Sequence, residues 1–172
     1  MYSGEEIIRA VESGELVIKP FSKEQVNPNS YNLTLAGELL VYVADVLDCK
    51  SENATRKITI PDEGYVLVPN TLYLAETREY TETENCVPQI SGRSSVGRIG
   101  LTVHQSSGCG SLGFKGTWTL GITCVTPTKV YKGMEVGQIY FFPVVGDANI
   151  KYDGHYNGTG VKSSQVQRQF EK

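Results

Sequence analysis

Ser3 precedes Glu6 by three residues, and Ile7, Ile8 and Val11 follow as one apolar stripe that stops at Gly14. A hydroxyl cap, an acid at the third helical position and a terminal glycine predict a short helix over residues 1–14. After "ELVIKPF" the apolar period drops to two. The segments "SYNLTL", "ELLVYV", "KITI", "GYVLV", "LYLAETREY", "GLTVHQS", "TWTLGITCV" and "QIYFFPVV" are short, rich in Val, Ile, Thr and Tyr, and many alternate. Turn signals separate them: Asn27-Pro28-Asn29, Pro61-Asp62-Glu63-Gly64, Pro69-Asn70 and Lys132-Gly133. No period repeats. The pattern predicts one all-β domain over residues 1–152, a jelly roll or barrel with a small N-terminal helix. The last twenty residues, "DGHYNGTGVKSSQVQRQFEK", are polar and Gly-rich. Composition reads them as a frayed tail; the competing reading is a flexible closing segment, residues 153–172, with Tyr156 stacking on a ligand.

Composition narrows the function classes. The 172 residues are 40% hydrophobic and 20% charged, enough for a buried core. A net charge of −3 argues against a protein that coats nucleic acid, so any phosphate site must be local. No apolar run approaches the length of a membrane span, and "MYSGEEIIRAVESGELVIKPF" is too charged for a signal peptide. A cytoplasmic protein with no membrane partner is expected. Cys49, Cys86, Cys109 and Cys124 form no C-x-x-C pair, so they read as reduced and mostly buried thiols.

The stretch "SGRSSVGR" carries the clearest chemistry. It places Arg93, Ser94, Ser95 and Arg98 within six residues, framed by Gly92 and Gly97. Two guanidiniums and two hydroxyls suit several anionic oxygens, and the glycines let the backbone approach. It is neither a Walker A loop nor a dinucleotide fingerprint. Downstream, "GCGSLGFKGTWTLGITC" holds seventeen residues without Asp, Glu or His. His104, on a predicted strand, is the nearest titratable candidate. Glu76, Glu79, Glu82 and Glu84 read as a solvated face and rim. The zinc-deaminase pattern H-x-E…P-C-x-x-C is absent, and no metal site is expected.

"GRSSVGRIGLTVH" closely resembles the central motif of the dCTP deaminase/dUTPase family. "NPNSYNLTL", "GFKGTWTLGI", "GMEVGQIYF" and "YNGTGVKSS" resemble further family motifs in order, so the similarity covers most of the chain. The resemblance implies a distorted β-barrel of the dUTPase-like type, a homotrimer, and nucleotide sites between subunits. It assigns Arg93, Ser94, Ser95, Gln138 and Tyr156 to nucleotide binding and Ser94 and Arg98 to support of the deaminating water; Arg98 and Ser107 are further nucleotide-binding candidates. A Mg²⁺ ion carried by the triphosphate is the one cofactor it admits.

Three family carboxylates are missing from this pattern. Asn32 stands for the acid of the first motif, Ser111 for the aspartate of triphosphate cleavage, and Gly121 for the glutamate that activates water. Losing a general base costs about 10²–10⁴-fold in rate. Gly121 by itself also fits a close backbone approach or a bulge. The leading expectation is therefore a catalytically impaired protein that binds, sequesters or senses a pyrimidine deoxynucleotide. The alternative is an active dCTP deaminase or dUTP/dCTP pyrophosphatase with a non-standard catalytic group, for which His104, Ser107 or a substrate-held water would have to compensate.

Overall fold

The structure, a computed structural model, describes residues 1–105 and 107–171. Helix α1 spans Gly4–Glu12, and Ser3 Oγ accepts from the Glu6 amide at 3.2 Å as the spacing predicts. The Glu6 carboxylate does not reach back to the cap; it accepts from Arg9 instead. Ile7 and Ala10 are buried, while Ile8 and Val11 are half-buried.

Strands follow in chain order: β1 Val17–Lys19, β2 Val26–Asn27, β3 Ser30–Tyr42, β4 Thr55–Thr59, β5 Tyr65–Leu67, β6 Tyr73–Glu82 and β7 Cys86–Gly92. A single helical turn, α2 (Ser94–Gly97), leads to β8 Leu101–Gln105, β9 Lys115–Cys124, β10 Thr128–Val130 and β11 Glu135–Pro143. The main sheet runs β7-β11-β3-β6-β9-β8, with β1 on β6 and with β2 and β4 on β3; β10 and β5 pair separately. All pairings are antiparallel. The two ends of the path meet, a Cβ built on Gly92 lying 3.3 Å from the Val103 carbonyl oxygen, which makes the sheet nearly a closed barrel. The all-β expectation holds.

Tyr31, Leu33 and Leu35 of β3, Leu120 and Ile122 of β9, and Ile139 and Phe141 of β11 fill the interior, each at 0% exposure. The inward and outward sets alternate along β9: Trp118, Leu120, Ile122 and Cys124 are buried, while Thr119, Gly121 and Thr123 are half-buried on the other face.

Two expectations need correction. Cys86 and Cys124 are buried, but Cys49 and Cys109 are exposed, because the latter pair sit in connections and not in strands. The glutamates of β6 are not a solvated rim. Glu79 is 1% exposed and accepts from the Thr34 amide at 2.8 Å, Thr34 Oγ1 at 2.7 Å and Gln25 Nε2 at 3.0 Å. Those donors make a buried carboxylate tolerable. Glu76, Glu82 and Glu84 are half-buried.

Candidate functional site

The first polar region is the turn that leaves β7. Arg93 caps α2, its amide donating to the Val136 carbonyl at 3.2 Å, and Val96 anchors the turn in the core at 4% exposure. That anchor turns Ser94, Ser95 and Arg98 outward to solvent. The Arg93 guanidinium pairs with the Glu135 carboxylate. Glu135 Oε1 also accepts from Asn32 Nδ2 at 3.2 Å, and Asn32 Oδ1 accepts from Asn27 Nδ2 at 2.7 Å. Gln138 lies opposite Asn32 in the β11–β3 register and accepts from Ser30 Oγ at 2.9 Å. Arg93, Asn32 and Gln138 are thus gathered by register. Glu135 was not singled out from the sequence; its acid inside "GMEVGQIYF" was the available signal.

The second region is a cleft of about 510 Å³ beside β6 and β9. Tyr42, Phe114, Trp118, Tyr152 and Tyr156 supply aromatic wall, and Ser107, Ser111, Thr117 and Thr119 supply hydroxyls. The Phe114 and Trp118 rings pack with centroids 4.1 Å apart, and Trp118 Nε1 donates to Thr81 Oγ1 at 2.9 Å, which fixes the indole. Ser107 and Ser111 meet here, as does Tyr156. Ser94, Ser95, Arg93, Arg98 and Gln138 do not line this cleft.

The C-terminal residues form the cleft's other wall. Gly158 donates to the Lys115 carbonyl at 2.7 Å and accepts from the Thr117 amide at 3.1 Å, a parallel bridge to Gly116. A Cβ on Gly116 would lie 2.4 Å from the Gly158 oxygen, so this approach needs glycine at 116. Further along, the Gly160 amide donates to Glu76 Oε1 at 2.6 Å, the Lys162 amide to Thr119 Oγ1 at 2.9 Å, and the Ser164 amide to the Tyr42 hydroxyl at 2.9 Å. Composition alone pointed to a frayed tail; backbone hydrogen bonds, which composition does not report, lay it along β9 as a strap. At its start, Glu84 pairs with both Lys115 and Lys151. Hydrogen bonding to those two ammonium groups holds the Glu84 carboxyl below its usual range.

Gly121 lies between Leu74 of β6 and His104 of β8 in unbroken register. A Cβ there would meet only Leu72 Cδ1 at 3.4 Å and the His104 oxygen at 3.8 Å, ordinary contacts. Neither a close approach nor a bulge requires glycine at this position, which corrects that part of the sequence reading. His104 is exposed and lies outside the cleft lining. His155 contacts Arg168 at 2.9 Å. Among the described residues no group of three or more His, Cys, Asp or Glu side chains converges as for a metal, and no helix is long and apolar enough to cross a membrane.

Comparison with known proteins fixes the context. The chain is 50% identical over 157 residues to a Clostridium acetobutylicum protein named dCTP deaminase, dUMP-forming, covering 91% of each chain. It is 47% identical over 171 residues to a Clostridium botulinum protein of the same name, covering 99% of this chain and 98% of the relative. Among solved structures, the 2'-deoxycytidine 5'-triphosphate deaminase of Agrobacterium tumefaciens superposes with a TM-score of 0.67 at 19% identity, over 83% of this chain and 48% of that one. This chain therefore spans about half of that solved chain, and the likeness is one of fold. The expectation of a catalytically impaired, sequestering protein does not stand against near full-length relatives that are named for a reaction. Its physical weakness was to weigh Asn32, Ser111 and Gly121 as lost acids while reading Glu76 as solvated, whereas Glu76 lies half-buried on the face that carries Gly121. A model described as dCTP deaminase-like matches residues 1–144, and the chain belongs to that family.

Proposed function

We propose that this protein is an active deaminase of deoxycytidine triphosphate that releases its product as the monophosphate: dCTP and two waters give dUMP, ammonia and diphosphate. The observation that carries this reading is the 47% identity over 99% of the chain with a dUMP-forming dCTP deaminase. The two polar regions suit such a substrate. Ser94, Ser95 and Arg98, exposed on the anion turn, match a triphosphate, with Arg93 oriented by Glu135. The aromatic and hydroxyl-lined cleft matches a pyrimidine nucleoside, with Tyr156 and the strap excluding water.

The anion turn does not line the cleft of its own chain, so the reading places each complete site between copies, in a homotrimer. Stability would then depend on protein concentration. Mg²⁺ would enter with the triphosphate and neutralise its charge, since Asn32 brings no carboxylate and Glu135 beside it is already paired with Arg93. The family's glutamate position being Gly121, the proton acceptor must come from elsewhere on the face.

Incubation of the purified protein with dCTP and Mg²⁺, followed by chromatography and an ammonium assay, tests the reading. Equal amounts of dUMP, ammonium and diphosphate are expected. Unchanged dCTP, or dCMP and diphosphate without ammonium, would overturn it.

A further inference from the structure

Glu76 occupies an unusual place in the sheet. On its β3 side, Thr77 faces Leu35 and Ala75 faces Leu39, so Glu76 alone spans the three residues Ala36–Glu38. On its β9 side, Glu76 faces Thr119 and Tyr80 faces Thr117, so Thr77–Glu79 oppose Trp118 alone. Irregularities on both flanks therefore meet at this residue, and bulges of this kind re-aim side chains. Leu72, Leu74 and Glu76 alternate onto the outer face, where the two leucines line the cleft. Thr117 and Thr119, which also line it, are the hydroxyl partner and the cross-strand neighbour of Glu76.

The carboxylate is half-buried, and among the described residues its hydrogen bonds fall on one oxygen. Oε1 accepts from Thr117 Oγ1 and, at 2.6 Å, from the strap amide of Gly160. Two donors on one oxygen orient the other. The strap is thus the element that both closes the cleft and fixes this carboxylate. Gly121 lies one diagonal step from Glu76, beyond Leu74, on the same face; such diagonal neighbours are about 7–8 Å apart, within reach of a long side chain.

We infer that Glu76, set directly behind the lining residues Thr117 and Thr119 by the paired bulges and pinned by Thr117 and Gly160, reaches the cleft as the general base of deamination in this chain. The inference rests on the activity proposed above. Glu76 Oε2 takes a proton from water as the water oxygen bonds to C4 of the cytosine ring. The C4–N3 π pair moves to N3, which receives that proton. The C4–N4 bond then breaks with its electron pair leaving on nitrogen, and the new hydroxyl's proton passes through the carboxylate to N4. Cytosine and water become uracil and ammonia, Glu76 ends as it began, and no oxidant or reductant is consumed.

The test uses the full chain and compares the wild type with Glu76→Gln and Glu76→Asp. Turnover is followed by ammonium release and dCTP binding by calorimetry. Glu76→Gln is expected to lower kcat by about 10²–10⁴-fold while the dCTP Kd stays within about threefold. Glu76→Asp, which keeps a retracted carboxylate, is expected to retain measurably more activity than Glu76→Gln. A wild type without turnover overturns the activity itself and this role with it. A wild type that turns over while Glu76→Gln keeps kcat within about threefold overturns the role of Glu76 alone. So does an equal loss of kcat in the two variants, or a loss of binding as large as the loss of rate, because either would mark Glu76 as a structural tie to the strap.

Discussion

At the anion turn, Arg93, Ser94, Ser95 and Arg98 come from one run of six residues. At the cleft, the groups that matter come from β6, β9, the loop before β9 and the strap, and none of them is a sequence neighbour of all the others. The two regions also treat charge differently. The turn neutralises its one half-buried guanidinium with Glu135. Beside the cleft, the half-buried Glu76 carboxylate accepts from a hydroxyl and a backbone amide, both neutral donors. A paired cation is ready to exchange one anion for another.

Breaking the strap should separate the two regions most sharply. Gly116→Val drives a side chain into the Gly158 oxygen, so kcat/KM for dCTP is expected to fall on the order of 10²-fold through loss of closure. Proteolysis near residues 150–165 should quicken, while a phosphate-only ligand such as tripolyphosphate should bind almost as before. Arg93→Ala should do the reverse. Losing one charged hydrogen-bonding group costs about 2 kcal/mol, roughly 30-fold, and the loss should appear mainly in KM.

The ion pairs at the strap's start give a smaller, pH-dependent effect. The Glu84 carboxyl is lowered below its ordinary value of 4.5 by Lys115 and Lys151. A carboxyl lowered on folding stabilises above its unfolded value, and the contribution is lost as pH falls through the lower folded value. The three side chains are 32–47% exposed, so the melting difference between wild type and Glu84→Gln should correspond to at most about 1 kcal/mol at pH 7. It should vanish in acid below the ordinary carboxylate range. Least disruptive is thiol labelling at pH 8. Cys49 and Cys109 should react quickly, whereas burial pushes the Cys86 thiol up to about 12, and it should react only on unfolding.

These contrasts also explain what the chain revealed in advance. Helix α1 and most strands were legible because their apolar periods are local. Strand β7 was not, since Pro88 interrupts "CVPQISG"; it lies at the end of the sheet path, where a missing amide donor is tolerated. "SYNLTL" and "ELLVYV" read as two strands, but they are one, β3, broken only in register at Ala36–Glu38. The anion turn was legible because its residues are contiguous. Glu76, Glu79 and Glu135 were not, because their surroundings depend on bulges and on donors supplied from 45 or more residues away for Glu79 and from 103 for Glu135. A period-two pattern carries no information about a bulge that lengthens one strand against its neighbour.

The central claim is that the anion turn of one copy and the cleft of another make one site. Mixing Arg93→Ala protein with Gly116→Val protein, after dissociation and reassembly, tests it directly. If sites form between copies, about a quarter of those in random mixed assemblies pair an intact turn with an intact cleft, and dCTP deamination should rise to about that fraction of wild type. Activity that stays at the average of the two separate variants would place both regions of each site on a single chain and contradict the account.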